Sequence, residues 1–180
     1  MLSDNALTGA SAAELFATYR LILRELRRRG IVRTENAPAG DYAEFLVAAA
    51  LGGSLAPNSE KSYDVVAAGR RLQVKSRVVS SPARADQLQL SPFRSFDFDD
   101  AIIVLLGDED YSVQKAIRVP VALIQGSARF SAHVNGYVVH ARSNLLAGPD
   151  CEDLTQRFQA SSWPASGQEP ASGSTTAPRG

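Results

Sequence analysis

Apolar positions recur at helical spacing from Leu15 through Phe16, Tyr19, Ile22 and Leu23 to Leu26, which predicts an amphipathic helix over 11–29. Ser11 with Glu14 three residues later reads as its capping box, and Gly30 as its stop. Arg27, Arg28 and Arg29 suit the negative end of that helix dipole. Pro38-Ala39-Gly40 reads as a break, after which Asp41 opens a second helix that buries Tyr42, Phe45, Leu46, Ala49 and Ala50 and ends at Gly52-Gly53. The period then drops to two. A hairpin turning at Gly69 leads into a strand over 71–79, closed by Ser81-Pro82. The continuous apolar run over 101–107 is the pattern of a strand covered on both faces, and 111–119 gives another. Between these, 82–100 reads as polar, with at most a short helical turn from Ser91-Pro92. After Pro120 a helix capped by Asn135-Gly136 competes with a hairpin that uses the same pair as its turn. The helix is preferred, followed by a strand over 137–141 and a short helical segment over 153–159.

The chain has 180 residues, enough for one domain with a real core, placed at 1–158. Residues 159–180 are so rich in Pro, Gly, Ser, Ala and Thr that a disordered tail is expected. The single Cys151 excludes an intrachain disulfide, and no run approaches the roughly 18 apolar residues of a membrane span. With no signal-like N-terminus, a cytoplasmic location is expected and no membrane partner. Formal net charge is zero, but its distribution is uneven. Basic residues dominate 61–94 (Arg70, Arg71, Arg77, Arg84 and Arg94 among them), whereas 97–110 carries acids and no base. A polyanion would find an attractive patch, while the neutral total leaves further contacts to a partner protein or a second copy of the chain.

The hairpin carries the candidate chemistry. If the loop is Gly69-Arg70, Asp64 lies opposite Lys75; if it is Ala68-Gly69, Asp64 lies opposite Gln73. Either parity puts Asp64, Gln73 and Lys75 on one face and Val65, Leu72 and Val74 on the other. A carboxylate, an amide oxygen and an ammonium together suit Mg²⁺, which takes oxygen ligands and keeps several waters. Lys75 would orient or deprotonate water, or neutralise charge growing on a phosphate. The bland reading is a solvated strand face with a cross-strand Asp–Lys pair. His133 and His140 have no accompanying ligands at metal spacing and read as structural.

A helix bearing Glu44, then Asp64, then Gln73-Val74-Lys75, then a buried strand resembles the restriction-endonuclease-like (PD-(D/E)xK) nuclease superfamily, closest to its Gln-x-Lys, Mrr-like branch. The resemblance covers about 41–119. It implies an α/β fold in which a helix, three strands, a helix and a further strand build a central mixed sheet, here with an added N-terminal helix. It implies Asp64, Gln73, Lys75 and Glu44 as the catalytic set, with Asp64, Gln73, Glu44 and the Val74 carbonyl holding Mg²⁺, for which Mn²⁺ would substitute. Arg70, Arg71, Arg77, Arg84 and Arg94 are then candidates for contact with DNA. Glu44 has a second reading as the third helical residue of a capping box begun by Asp41. The implied activity is metal-dependent hydrolysis of DNA phosphodiesters; the alternative is an inactive nuclease-fold module that binds nucleic acid or a protein.

Overall fold

The computed structural model describes residues 7–28, 39–57, 59–60 and 62–161. The expected helix stop at Gly30 and the tail beyond Ser161 lie outside them. Helix α1 (Ala12–Arg28) begins with the expected capping box: the Ser11 amide and hydroxyl each donate to Glu14 Oε2 at 2.8 Å. The backbone N–H of Ser11 holds the Glu14 carboxyl below its ordinary range. Its apolar stripe is only partly covered: Phe16 packs against Tyr42 and Tyr111, whereas Ile22 is exposed.

Helix α2 (Ala39–Leu51) starts two residues before the expected N-cap. Its buried face is Ala43, Leu46, Val47 and Ala50, not the expected set with Tyr42, Phe45 and Ala49. The helix is apolar on nearly every side, so periodicity could not choose which side is covered. Strands β1 (Ser54–Leu55), β2 (Val65–Ala67) and β3 (Arg70–Val79) form an antiparallel meander, β4 (Asp100–Gly107) runs parallel to β3, and β5 (Val113–Pro120) returns antiparallel. Every residue of β4 is buried, in keeping with its unbroken apolar sequence.

Two apolar layers flank this sheet. On one face Val65, Leu72, Val74, Ile102 and Val104 meet α2 and Phe158. On the other, Val79, Ala101, Ile103 and Leu105 meet Leu90, Phe93 and Phe98 from the β3–β4 connection. That connection is therefore not polar filler. Its one helical turn is a 3₁₀ turn at Ala85–Leu88, ahead of the expected position, and its apolar residues fall at irregular spacings that match no period.

After β5 the preferred long helix is replaced. Helix α3 (Val121–Ser127) spans two turns, Ala128 is extended, and β6 (Arg129–Ser131) pairs with β7 (Gly136–Val138). Asn135 takes φ 45° in the turn. Phe130 packs edge-on against Tyr137 at 5.4 Å across the hairpin, a cross-strand contact that a helix would forfeit. His133 falls in that turn and His140 bridges to Gln89, well apart in the chain's path. Helix α4 (Ser143–Leu146), strand β8 (Glu152–Asp153) on β5, and helix α5 (Thr155–Ser161) complete the order. Residues 159–161 thus belong to a helix, with Gln159 donating to the Val113 carbonyl at 2.8 Å.

The β2–β3 turn is Ala68-Gly69, with φ of 49° and 76°. A two-residue turn with both φ positive matches sheet twist but strains Ala68, whose Cβ disfavours that region. Ala68→Asn is expected to raise stability by about 1 kcal/mol, roughly 2–4 °C in melting temperature, because Asn tolerates positive φ. A thermal melt checks this.

Candidate active site at the edge of strand β3

Ala67 pairs with Arg70 and Val65 with Leu72, so Asp64 stands just before β2, alongside Gln73. It sits at a bend where its own N–H donates to Leu72 O at 2.9 Å. Asp64 Oδ2 accepts the Val74 backbone N–H at 2.6 Å and also Gln73 Nε2. A strand N–H points along the sheet plane, so this carboxylate lies at the edge of β3 where β2 turns away. It caps a backbone donor that has lost its ladder partner. Among the described residues no donor reaches its other oxygen.

Gln73 and Lys75 share the face of their β4 neighbours Ala101 and Ile103, opposite the α2 layer. Gln73 is 8% exposed. Its nitrogen end donates to Asp64, which leaves Oε1, the atom expected to face a metal, as the free end of the amide. Lys75 Nζ lies 4.9 Å above the Phe93 ring, a cation–π contact. Sequence reasoning missed Phe93, since nothing in a loop pattern shows which aromatic lies under a lysine.

Glu44 approaches from the α2 layer. Because α2 already runs at Ala39, Asp41 is not its N-cap and the capping-box reading of Glu44 does not hold. The helix start is tied down beside Lys75, with the Ser76 hydroxyl donating to Ala39 O at 3.0 Å. The site therefore straddles the edge of β3: Gln73 and Lys75 on one side, Glu44 on the other, and Asp64 between them.

The electrostatics bind these groups together. Burial first, then the charges of Asp64 and Asp41, push the Glu44 carboxyl above its ordinary range. Burial also pushes Asp64 up, against the opposing pull of the Val74 N–H, Lys75 and Gln73. Burial pushes the Lys75 ammonium down, partly offset by Asp64 and Glu44, with the Arg94 charge adding to the fall. Two carboxylates share partly desolvated space with one amine that burial discourages from staying charged. Perturbation of this kind gathers where chemistry is done.

The candidate DNA-contact residues divide. Arg70 Nε meets buried Asp100 at 2.5 Å, and the Arg71 N–H donates to Asp99 Oδ2 at 2.7 Å. Arg84 pairs with Asp86 at 3.3 Å, and Arg77 Nε donates to Gln87 O at 3.1 Å. Arg94 reaches the carbonyls of Val134 and Asn135, and only its charge among these five registers at Lys75. Arg70 and Arg71 are thus spent on the acidic stretch that follows.

Two carboxylates, their repulsion offset in part by Lys75, and a free amide oxygen make a donor set of the kind a hard divalent cation takes. Among the described residues no three His, Cys, Asp or Glu gather at metal-holding distance, so here the set has only two carboxylates, with Gln73 in place of a third. Gln73→Glu would set a third carboxylate against Asp64. We expect a lower melting temperature in EDTA than the wild type, and a larger rise when millimolar Mn²⁺ is added; calorimetry in both buffers checks the pair. No protein-family model matches the chain, and no curated protein matches it.

Proposed function

We propose that this protein is a metal-dependent phosphodiesterase acting on DNA, with a restriction-endonuclease-like core. The observation that carries the reading is the Asp64 carboxylate at the edge of β3, held by Gln73 and the Val74 N–H and coupled to both Lys75 and Glu44. The order of elements agrees with it: helix α2, three strands β1 to β3, a crossover, then β4 parallel to β3. The crossover carries a 3₁₀ turn and packed phenylalanines where the superfamily has a helix.

Asp64, Glu44, Gln73 through its oxygen, and the Val74 carbonyl would hold Mg²⁺ or Mn²⁺. Such an ion would polarise the phosphodiester and acidify water. The chain's own residues do the rest. Gln73 and the Val74 N–H fix the orientation of Asp64, leaving one oxygen free. Phe93 supports Lys75 from beneath and excludes water from one side of its amine. Lys75, its proton loosened by burial, can take or give a proton at Nζ beside the scissile phosphate. Arg94 extends positive potential toward the incoming backbone. Among the described residues no helix is long and apolar enough to cross a membrane; a cytoplasmic setting belongs to this proposal.

The test is cleavage of single- and double-stranded DNA with Mg²⁺, Mn²⁺ or EDTA, with DNA retention measured alongside. Metal-dependent cleavage supports the reading. Retention without cleavage, unchanged in Lys75→Arg, favours the inactive binding module.

A further inference from the structure

A second concavity lies away from Asp64, between the end of α3, the open end of the β6–β7 hairpin and the start of α4. It measures about 500 Å³, within the range of small-molecule sites. Arg129, Arg142, His140, Asn144 and Ser127 line it, with Leu145 among its apolar walls, and no Asp or Glu contributes. Arg129 sits opposite Val138 at the mouth of the hairpin. Arg142 precedes α4 and caps it only through its backbone, its carbonyl accepting the N–H groups of Leu145 and Leu146 at 3.0 Å each. Its side chain makes no capping hydrogen bond to α4.

Other arginines among the described residues behave differently. Arg24, Arg28, Arg70, Arg71, Arg84 and Arg118 each pair with a carboxylate. Arg129 and Arg142 have no side-chain partner among the described residues, and neither do His140, Asn144 and Ser127. Two unpaired guanidiniums converge on one hollow with an imidazole, an amide and a hydroxyl, all able to donate hydrogen bonds, and no acid opposes them. Guanidinium forks match phosphate oxygens, and charge-assisted bonds of this kind are the strong ones.

We infer that this hollow binds a phosphate monoester of nucleotide size. Arg129 and Arg142 hold the phosphate oxygens, Asn144 and Ser127 complete the donor set, and the Leu145 wall takes the less polar part of the ligand. The phosphate can belong to a free mononucleotide or to the end of a nucleic-acid strand, and the site chemistry is the same.

The experiment titrates the full-length protein in EDTA, where no metal-dependent cleavage occurs, so its outcome is separate from that of the nuclease proposal. The probes are inorganic phosphate, adenosine 5′-monophosphate, adenosine, and a short oligothymidylate with and without a 5′-phosphate. Adenosine 5′-monophosphate is expected to bind and adenosine not to. Arg129→Gln and Arg142→Gln should each weaken binding about tenfold, the scale of one charge-assisted hydrogen bond. Both positions are exposed, so the fold should survive, and melting curves verify it. Arg129→Lys should recover part of the loss by restoring charge without the fork. A preference for the 5′-phosphorylated strand assigns the site to strand ends; failure of both strands to bind assigns it to free mononucleotides, and equal binding of both strands overturns the inference. Equal binding of adenosine and its monophosphate, or affinity untouched in both Gln variants, overturns the inference.

Discussion

Lys75→Ala is expected to lower DNA cleavage about 10²- to 10⁴-fold, the usual cost of losing a positioned proton-transfer group. Asp64→Ala should remove cleavage altogether, because the remaining groups lose the carboxylate around which Gln73, Val74 and Lys75 are arranged. Neither change should unfold the protein. Burial holds Asp64 above the ordinary carboxylate range and Lys75 below the ordinary amine range, so ionising either costs the fold free energy. Removing such a charge recovers that cost, but in Asp64→Ala the gain is offset by the loss of the acceptor for the Val74 N–H and the Gln73 amide, which costs about 1–3 kcal/mol. Lys75→Arg separates chemistry from binding. A guanidinium keeps the charge, cannot give up its proton, and is bulkier than the ammonium that it would replace above Phe93. Loss of cleavage with retained DNA binding in this variant is the expected pattern, measured by gel cleavage and retention on the same preparations. Full cleavage by Lys75→Arg would rule out proton transfer at Nζ.

Phe93→Ala should be the most damaging single change to the fold. The ring is fully buried, packs with Phe96 and Phe98, and stands under Lys75. Truncations of this type cost about 3–5 kcal/mol, because transfer free energy and a residual cavity add. For a domain of this size that corresponds to a melting temperature lower by roughly 10 °C or more. Phe93→Leu keeps most of the volume but not the π face. It should retain most of the stability while disturbing Lys75, which would appear as a shifted pH profile of cleavage. A melting curve for Phe93→Ala within a degree or two of the wild type would mean that the second apolar layer is not organised around this ring.

Which parts of this were legible in advance follows from how local each signal is. The β2–β3 hairpin could be read because Gly69 restricts the turn and the period of two then fixes parity; the loop proved to be the Ala68-Gly69 alternative. β4 was legible because an apolar run without polar interruption has only a doubly covered strand to go to. The face of α2 was not, since nearly every side of it is apolar, and the covered side is chosen by the sheet. The β3–β4 connection was misread because Leu90, Phe93 and Phe98 follow no period, though all three are buried. The Asn135-Gly136 pair supported two readings, and the aromatic pair Phe130–Tyr137, invisible without pairing, decided between them. At the site, residue types and spacing suggested the set, but only coordinates place Asp64 in the plane of the sheet, so that Glu44 and Lys75 meet it from opposite layers. The neutralisation of Arg70 and Arg71 by Asp100 and Asp99 is likewise a tertiary fact.

If Asp64 organises a divalent-metal site at the edge of β3, the ion should be visible beside it. The most direct measurement is an anomalous difference map from crystals of the wild-type protein soaked in Mn²⁺, with an Asp64→Ala crystal soaked in parallel. A peak is expected at coordination distance from an Asp64 oxygen, about 2.0–2.2 Å for a small hard cation, and absent from the variant. A wild-type map with no peak near Asp64, or one that persists unchanged in Asp64→Ala, would contradict it.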